Sequence, residues 1–186
     1  KKKINIDQDG VERDSLDELF EYYGSDKSNY IKKRSNKGHG FSKYYSQYLK
    51  NFKYKKINIL EVGSFAGASA AAFIKYLKNC SVFCFDVNIS KFIYSSNKIH
   101  VYGLDINNQN KIKRIMKKIK GNFNINSFEM IIDDGSHYLS DILLSFNFFF
   151  KYVKKGGVYV IEDLKYPNYF QYNNDIEHLF VDEVLY

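Results

Sequence analysis

"INILEVGSFAGASAAAFIKYLKN" (57–79) begins as an apolar strand pattern, breaks at two glycines and resumes as an alanine-rich helix pattern. Residues 57–62 are nearly continuously apolar, as a strand buried on both faces must be. Residues 67–79 are mostly good helix formers. Between them, Gly63 and Gly67 let the backbone bend sharply and let a ligand come close. The helix that follows offers free N–H groups at its start. Working outward, "SVFCFDV" (81–87), "IHVYGLD" (99–105), "FEMIIDD" (128–134) and "GGVYVIEDL" (156–164) read as four more strands, the last opening on a glycine turn. Helical patterns separate them. In 109–120, Ile112, Ile115, Met116 and Ile119 recur at helical spacing beneath a solvated lysine face. In 140–153, Ser140 is placed to cap the helix. Strands alternating with helices imply right-handed crossovers and a doubly wound, mostly parallel α/β sheet with helices on both faces. Residues 1–56 read as a helical N-terminal extension whose Tyr44, Tyr45 and Tyr48 form a packing stripe. Residues 57–186 form the α/β domain, and the whole is expected to be one compact unit.

Composition narrows the function classes. The chain has 186 residues and a net charge of +7, with 45% hydrophobic and 26% charged residues. Its 17 Tyr and 16 Phe without Trp point to a residue bias rather than a specialised aromatic surface. A basic balance suits a nucleic-acid partner, but the lysines are scattered, which weakens that reading. The apolar runs 68–74 and 142–150 are far shorter than the ~20 residues a bilayer requires. Cys80 and Cys84 on one strand would stand about 13 Å apart, too far to pair, and no His/Cys cluster surrounds them. They read as buried thiols in a reducing cytoplasm. The chain starts at Lys1 without a methionine, so an upstream targeting segment stays open, and a homo-oligomer is compatible with the sequence.

The strand ends are acidic: Glu61, Asp86, Asp105, Asp133 with Asp134, and Glu162 with Asp163. A parallel sheet aligns its carboxyl ends along one edge, where open α/β sheets bind ligands. Helix capping or turn formation would account for Asp105, and for Asp86 as well. Adjacent carboxylates at the central strands are harder to explain that way, because like charges in a crevice raise one another's cost. Such a cluster awaits a cation. Asp86 ends the strand after the glycine turn, where a carboxylate grips ribose hydroxyls. The glycines are four apart and lack the G-x-G-x-x-G pattern that seats a pyrophosphate. A nucleoside without phosphates fits better.

"ILEVGSFAG", "FDVN", "IIDDGSH" and "GGVYVIEDL", in that order, resemble the class I S-adenosylmethionine-dependent methyltransferases. Within them the chain is most similar to the metal-dependent O-methyltransferases of macrolide sugars and their cephalosporin-hydroxylase-like relatives. "YGSDKS" (23–28) and "HGFSKYY" (39–45) resemble that branch's opening segment, so the likeness runs from about Leu16 to Leu164. The resemblance implies the Rossmann-like methyltransferase fold, with S-adenosyl-L-methionine and Mg²⁺ or another hard divalent cation as cofactors. It places Glu61 and the Gly63–Gly67 turn, Ser64 included, along the cofactor's methionine and ribose side. Asp86 would hold the ribose, Leu104 and Asp105 would lie by the adenine, and Asp133 near the methionine part. Asp134, Glu162 and Asp163 would bind the metal, with His137 as general base. Two departures stand out: Phe65 replaces the middle glycine of many members, and a sheet that normally has seven strands is represented by five before "DIEHLFVDEVLY", which reads as a helix.

The chemistry suits these residues. A sugar hydroxyl is a poor nucleophile; a hard cation held by carboxylates would bind it, lower its pKa and orient it. Oxygen ligands favour Mg²⁺ or Ca²⁺ over zinc, and an imidazole accepts a proton near neutrality. The expected activity is O-methylation of a hydroxyl on a sugar or related small molecule. An RNA methyltransferase, an NAD(P)-dependent oxidoreductase and a non-catalytic cofactor-binding module remain as alternatives. His39 lies in a "GHG" loop that folds over the acceptor or faces solvent; His100 and His178 read as structural. Tyr138 reads as a border of the acceptor pocket or as core.

Overall fold

The computed structural model describes residues 3–31 and 36–163. The helix expected in "DIEHLFVDEVLY", His178 and Leu164 lie outside the described residues. Ten main elements follow in chain order: α1 (Leu16–Tyr23), α2 (Ser42–Leu49), β1 (Lys56–Val62), α3 (Ala68–Tyr76), β2 (Asn79–Asp86), β3 (Ile99–Gly103), α4 (Gln109–Phe123), β4 (Phe128–Asp133), α5 (Leu139–Phe149) and β5 (Val153–Ile161). The five strands form one parallel sheet in the order β3-β2-β1-β4-β5. This is the expected fold class, with its order reversing at β1.

Side chains alternate across the sheet, as strand geometry requires. Ile57, Ile59, Val82 and Cys84 face a layer holding Phe20, Tyr45, Leu49 and Phe73. Leu60, Phe83, Phe85 and Ile131 face the other layer, with Ile112, Met116, Ile119 and Phe149. The N-terminal helices are therefore part of the core: Phe73 of α3 meets Phe20 of α1 at 5.3 Å and Tyr45 of α2 at 5.5 Å between ring centroids. Phe73 is fully buried, and truncating such a side chain to Ala costs about 3–5 kcal/mol. Cys80 and Cys84 are buried, unpaired thiols.

Two local expectations differ. Ser140 lies inside α5, and Tyr138 occupies the cap position without a side-chain cap bond. The left-handed turn at His137 (φ 62°) starts the helix earlier than the serine would. Residues 156–157 form no turn before β5 but a register shift within it, opposite Phe128 and Met130. Gly156 has φ +78°, and a Cβ on Gly157 would lie 2.8 Å from the Glu129 carbonyl oxygen, which is the close approach that a glycine bulge serves.

Hydrogen bonds carry the ladder one residue past the strands. Gly63 N–H donates to Phe85 C=O (2.8 Å), Asp134 N–H to Val62 C=O (2.9 Å), Leu104 N–H to Asp86 C=O (2.8 Å) and Glu162 N–H to Asp133 C=O (2.8 Å). The acidic strand ends are thereby fixed along one edge.

Candidate functional site

The first half of the site grows from the β1–α3 turn. Gly63 (φ 85°) and Gly67 (φ 79°) are both left-handed; a Cβ at Gly67 would strike the Phe92 ring at 2.3 Å. Phe65 is also left-handed (φ 42°), a conformation that costs a bulky residue energy. Its N–H is held at 2.7 Å by Asp86 Oδ2, while Asn88 N–H donates to Oδ1 at 2.7 Å. Asp86 is thus aimed along the glycine turn with acceptor capacity to spare.

Gly63, Ser64, Phe65, Ser69, Lys27 and Asp134 help line a cavity of about 490 Å³ beside this turn. Glu61, fully buried, accepts from Ser69 Oγ at 2.5 Å, and its other oxygen, Oε2, has no hydrogen-bond partner among the described residues. Burial pushes its carboxyl above the usual range, against the pull of Lys27. A buried orphan oxygen is costly, and a cationic ligand group would satisfy it. Leu104 is buried behind the Asp86 bond. Asp105 is exposed and accepts from Asn107 N–H at 2.9 Å, closing its own turn.

The second half contains "DDGSH" and the end of β5. Asp133 is buried and receives the Tyr159 hydroxyl at 3.3 Å; burial raises its carboxyl, opposed by Ser145, Gly135 and Tyr159. It does not line the cavity. Asp134 does, and with His137 and Asp163 it presents ligand atoms within 4.8 Å of one another. His137 Nε2 lies 4.0 Å from both Asp134 Oδ1 and Asp163 Oδ2. His137 (φ 62°) and Asp163 (φ 51°) both hold left-handed backbones, strain of the kind that concentrates at functional sites. The two carboxylates suit a hard divalent cation, with the imidazole left beside them as a base.

Glu162 stands apart from that group. It is buried between the Tyr45 hydroxyl, which donates to Oε1, and the Lys27 ammonium, 2.7 Å from Oε2. Lys27, only 2% exposed, also donates to Asp134 Oδ2 at 2.5 Å. Burial alone would drive off its proton, but Asp134 and Glu162 outweigh that and hold it on. Sequence reasoning gave Lys27 no role of its own and Tyr45 only a packing one. The usable signal was a lysine inside a Gly/Ser turn, away from any solvated lysine face.

Local structure explains the delivery of Lys27. Ser15 caps α1, its Oγ accepting from Glu18 N–H at 3.1 Å, and left-handed Gly24 ends the helix. The 26–29 segment then pairs with the "GHG" loop through His39 N–H to Asp26 C=O (2.7 Å), Gly38 N–H to Asn29 C=O (2.9 Å) and Gly40 N–H to Ser28 C=O (3.0 Å). His39 Nδ1 comes to 3.9 Å from Asp163 Oδ1. A second cavity, about 650 Å³, is lined by Phe41, Tyr44, Tyr45, Tyr48, Glu162 and Asp163 among others. The tyrosine stripe therefore packs and also borders this cavity.

No protein-family model matches the chain. It is 24% identical over 162 residues to mycinamicin VI 2''-O-methyltransferase of Micromonospora griseorubida, covering 83% of this chain and 37% of that protein. It is 28% identical over 155 residues to L-olivosyl-oleandolide 3-O-methyltransferase of Streptomyces antibioticus, covering 80% and 36%. The chain thus spans little more than a third of the length of these curated relatives. Among solved structures, MycE methyltransferase in complex with Mg, SAH and mycinamycin VI superposes with a TM-score of 0.67 at 23% identity, over 82% of this chain and 40% of that one. The chain has the fold of the class I S-adenosylmethionine-dependent methyltransferases, and its sequence is similar to their macrolide-sugar O-methyltransferase branch.

Proposed function

We propose that this chain acts as a metal-assisted, S-adenosylmethionine-dependent O-methyltransferase. Its acceptor is a hydroxyl on a sugar or related small molecule in glycan or natural-product biosynthesis. One observation carries the reading: Asp134 both lines the cavity beside the glycine turn and belongs to the group with His137 and Asp163. Methyl donor and hydroxyl must meet, and Asp134 joins the two halves. The names of the relatives support the sugar acceptor.

In this reading Asp86 receives the ribose hydroxyls on its free lone pairs, held by the Phe65 and Asn88 amides. Glu61 Oε2 receives the cofactor's ammonium. Asp134 and Asp163, with His137 beside them, would hold a divalent cation, whose charge would make the acceptor hydroxyl more acidic and fix its orientation. His137 Nε2 takes the hydroxyl proton, and Asp134 and Asp163 stabilise the imidazolium from 4.0 Å. The aromatic cavity meeting Asp163 suits an amphipathic acceptor. Among the described residues no helix is long and apolar enough to cross a membrane. We place the reaction in the cytoplasm, where Cys80 and Cys84 stay reduced.

Calorimetric titration with S-adenosylmethionine and S-adenosylhomocysteine, with and without Mg²⁺, tests the proposal, followed by methyl transfer to glycosylated small molecules. Both nucleosides should bind, and chelation should stop transfer while sparing their binding. Failure of both to bind, or transfer indifferent to chelator, would overturn it.

A further inference from the structure

The proposed function makes no use of Lys27, although few features of the site are more strongly determined. A fully buried ammonium is expensive unless paired and hydrogen-bonded. Here it is held by Asp134 Oδ2 at 2.5 Å and Glu162 Oε2 at 2.7 Å, acceptors 107 and 135 residues away. Two further constraints fix the arrangement. The Tyr45 hydroxyl occupies Glu162 Oε1, and the Lys27 backbone is anchored by Ser42 N–H, which donates to its carbonyl at 2.9 Å. Asp134 Oδ1 is left facing His137. Lys27 and Asp134 both line the 490 Å³ cavity, so the ammonium and its carboxylate partner meet at the cavity wall.

We propose that Lys27 is a positioning residue that acts as an internal cation, anchored on Glu162 and competing with the divalent ion for Asp134. The inference rests on the metal-assisted reading above. In the metal-free protein the ammonium holds two carboxylates that would otherwise repel each other, keeping the edge folded and aimed. A divalent ion that takes both Asp134 oxygens must draw this carboxylate away from Lys27, so its binding is weaker and more readily reversed than the carboxylates alone would give. The lysine thereby trades metal affinity for a site that stays ordered when empty.

The test is titration of Mg²⁺ and Mn²⁺ into the wild-type chain and Lys27→Met, without cofactor or acceptor, alongside metal-free thermal unfolding. Lys27→Met should melt lower than wild type without metal. It should bind Mn²⁺ about tenfold more tightly, an effect on the scale of one lost charge-assisted competitor, and saturating Mn²⁺ should restore its melting temperature. A purely structural lysine would give the first result without the gain in affinity. Equal or weaker Mn²⁺ binding by the variant overturns the proposal. Should Lys27→Met fail to fold, amine acylation of the wild type followed by mass spectrometry decides. Lys27 should be protected without metal and become reactive with saturating Mg²⁺; unchanged protection overturns the competition. Mn²⁺ bound by Lys27→Met but not by wild type would mean that Lys27 excludes the ion altogether, which sinks the metal-assisted reading and this proposal with it. Binding by neither sinks both.

Discussion

A Cβ on residue 63 would lie 1.8 Å from the carbonyl oxygen of Asp134. The glycine turn after β1 and the acidic turn after β4 therefore touch backbone to backbone, and only glycine at position 63 permits it. With φ at +85°, Gly63→Ala combines left-handed strain with a clash that no side-chain rotation relieves. The variant should lose about 2–4 kcal/mol of stability, measured as a lower urea midpoint at unchanged slope. It should also lose S-adenosylhomocysteine binding, because both walls of the cavity must move.

Asp86 holds two backbone amides and keeps lone pairs for a ligand. Asp86→Ala removes charge-assisted hydrogen bonds of about 1.5–3 kcal/mol, so affinity for S-adenosylhomocysteine should fall by about 10- to 100-fold. Divalent-cation binding should not change, since Asp86 lies outside the group around Asp134. Calorimetric titration of each ligand checks this; parallel loss of both would mean that the variant disturbs the whole edge.

His137 and Asp163 are the strained pair in the acidic group. His137→Gln retains polarity but no useful basicity. Methyl-transfer turnover should fall by about 10²- to 10⁴-fold, with S-adenosylhomocysteine affinity kept. A wild-type turnover number in this variant would remove His137 from the reaction.

The legible part of this protein was the part with a local signature. Strand periodicity at 57–62, 81–87, 99–105 and 128–134 located four strands to within a few residues, and the acidic ends shared an edge because parallel strands must. Which carboxylates face one another was not legible. Asp133 turns to Tyr159, and Glu162 to Lys27 and Tyr45. These choices depend on a partner more than 100 residues away for Lys27, and such pairings leave no periodicity to read. The "GHG" loop illustrates the same limit. Its glycines signalled a turn, but its backbone pairing with residues 26–29 brings His39 to Asp163. Gly157 shows the limit at shorter range, since a bulge and a turn demand the same residue.

His100 offers a pH test away from the acidic edge. Its ring is packed against Phe83 and Phe123, with centroids at 4.7 and 4.3 Å, and burial lowers its affinity for a proton. The unfolded chain therefore protonates this residue at higher pH than the folded one. Its contribution to stability is complete above the unfolded pKa of about 6.5 and is lost as pH falls from there toward the lower folded value. His100→Phe keeps the ring contacts and removes the proton. Urea midpoints measured from pH 7.5 down to about 5 should show wild type losing stability relative to the variant only below about 6.5. Curves that stay parallel through that window would mean that His100 is as open to the proton in the folded chain as in the unfolded one.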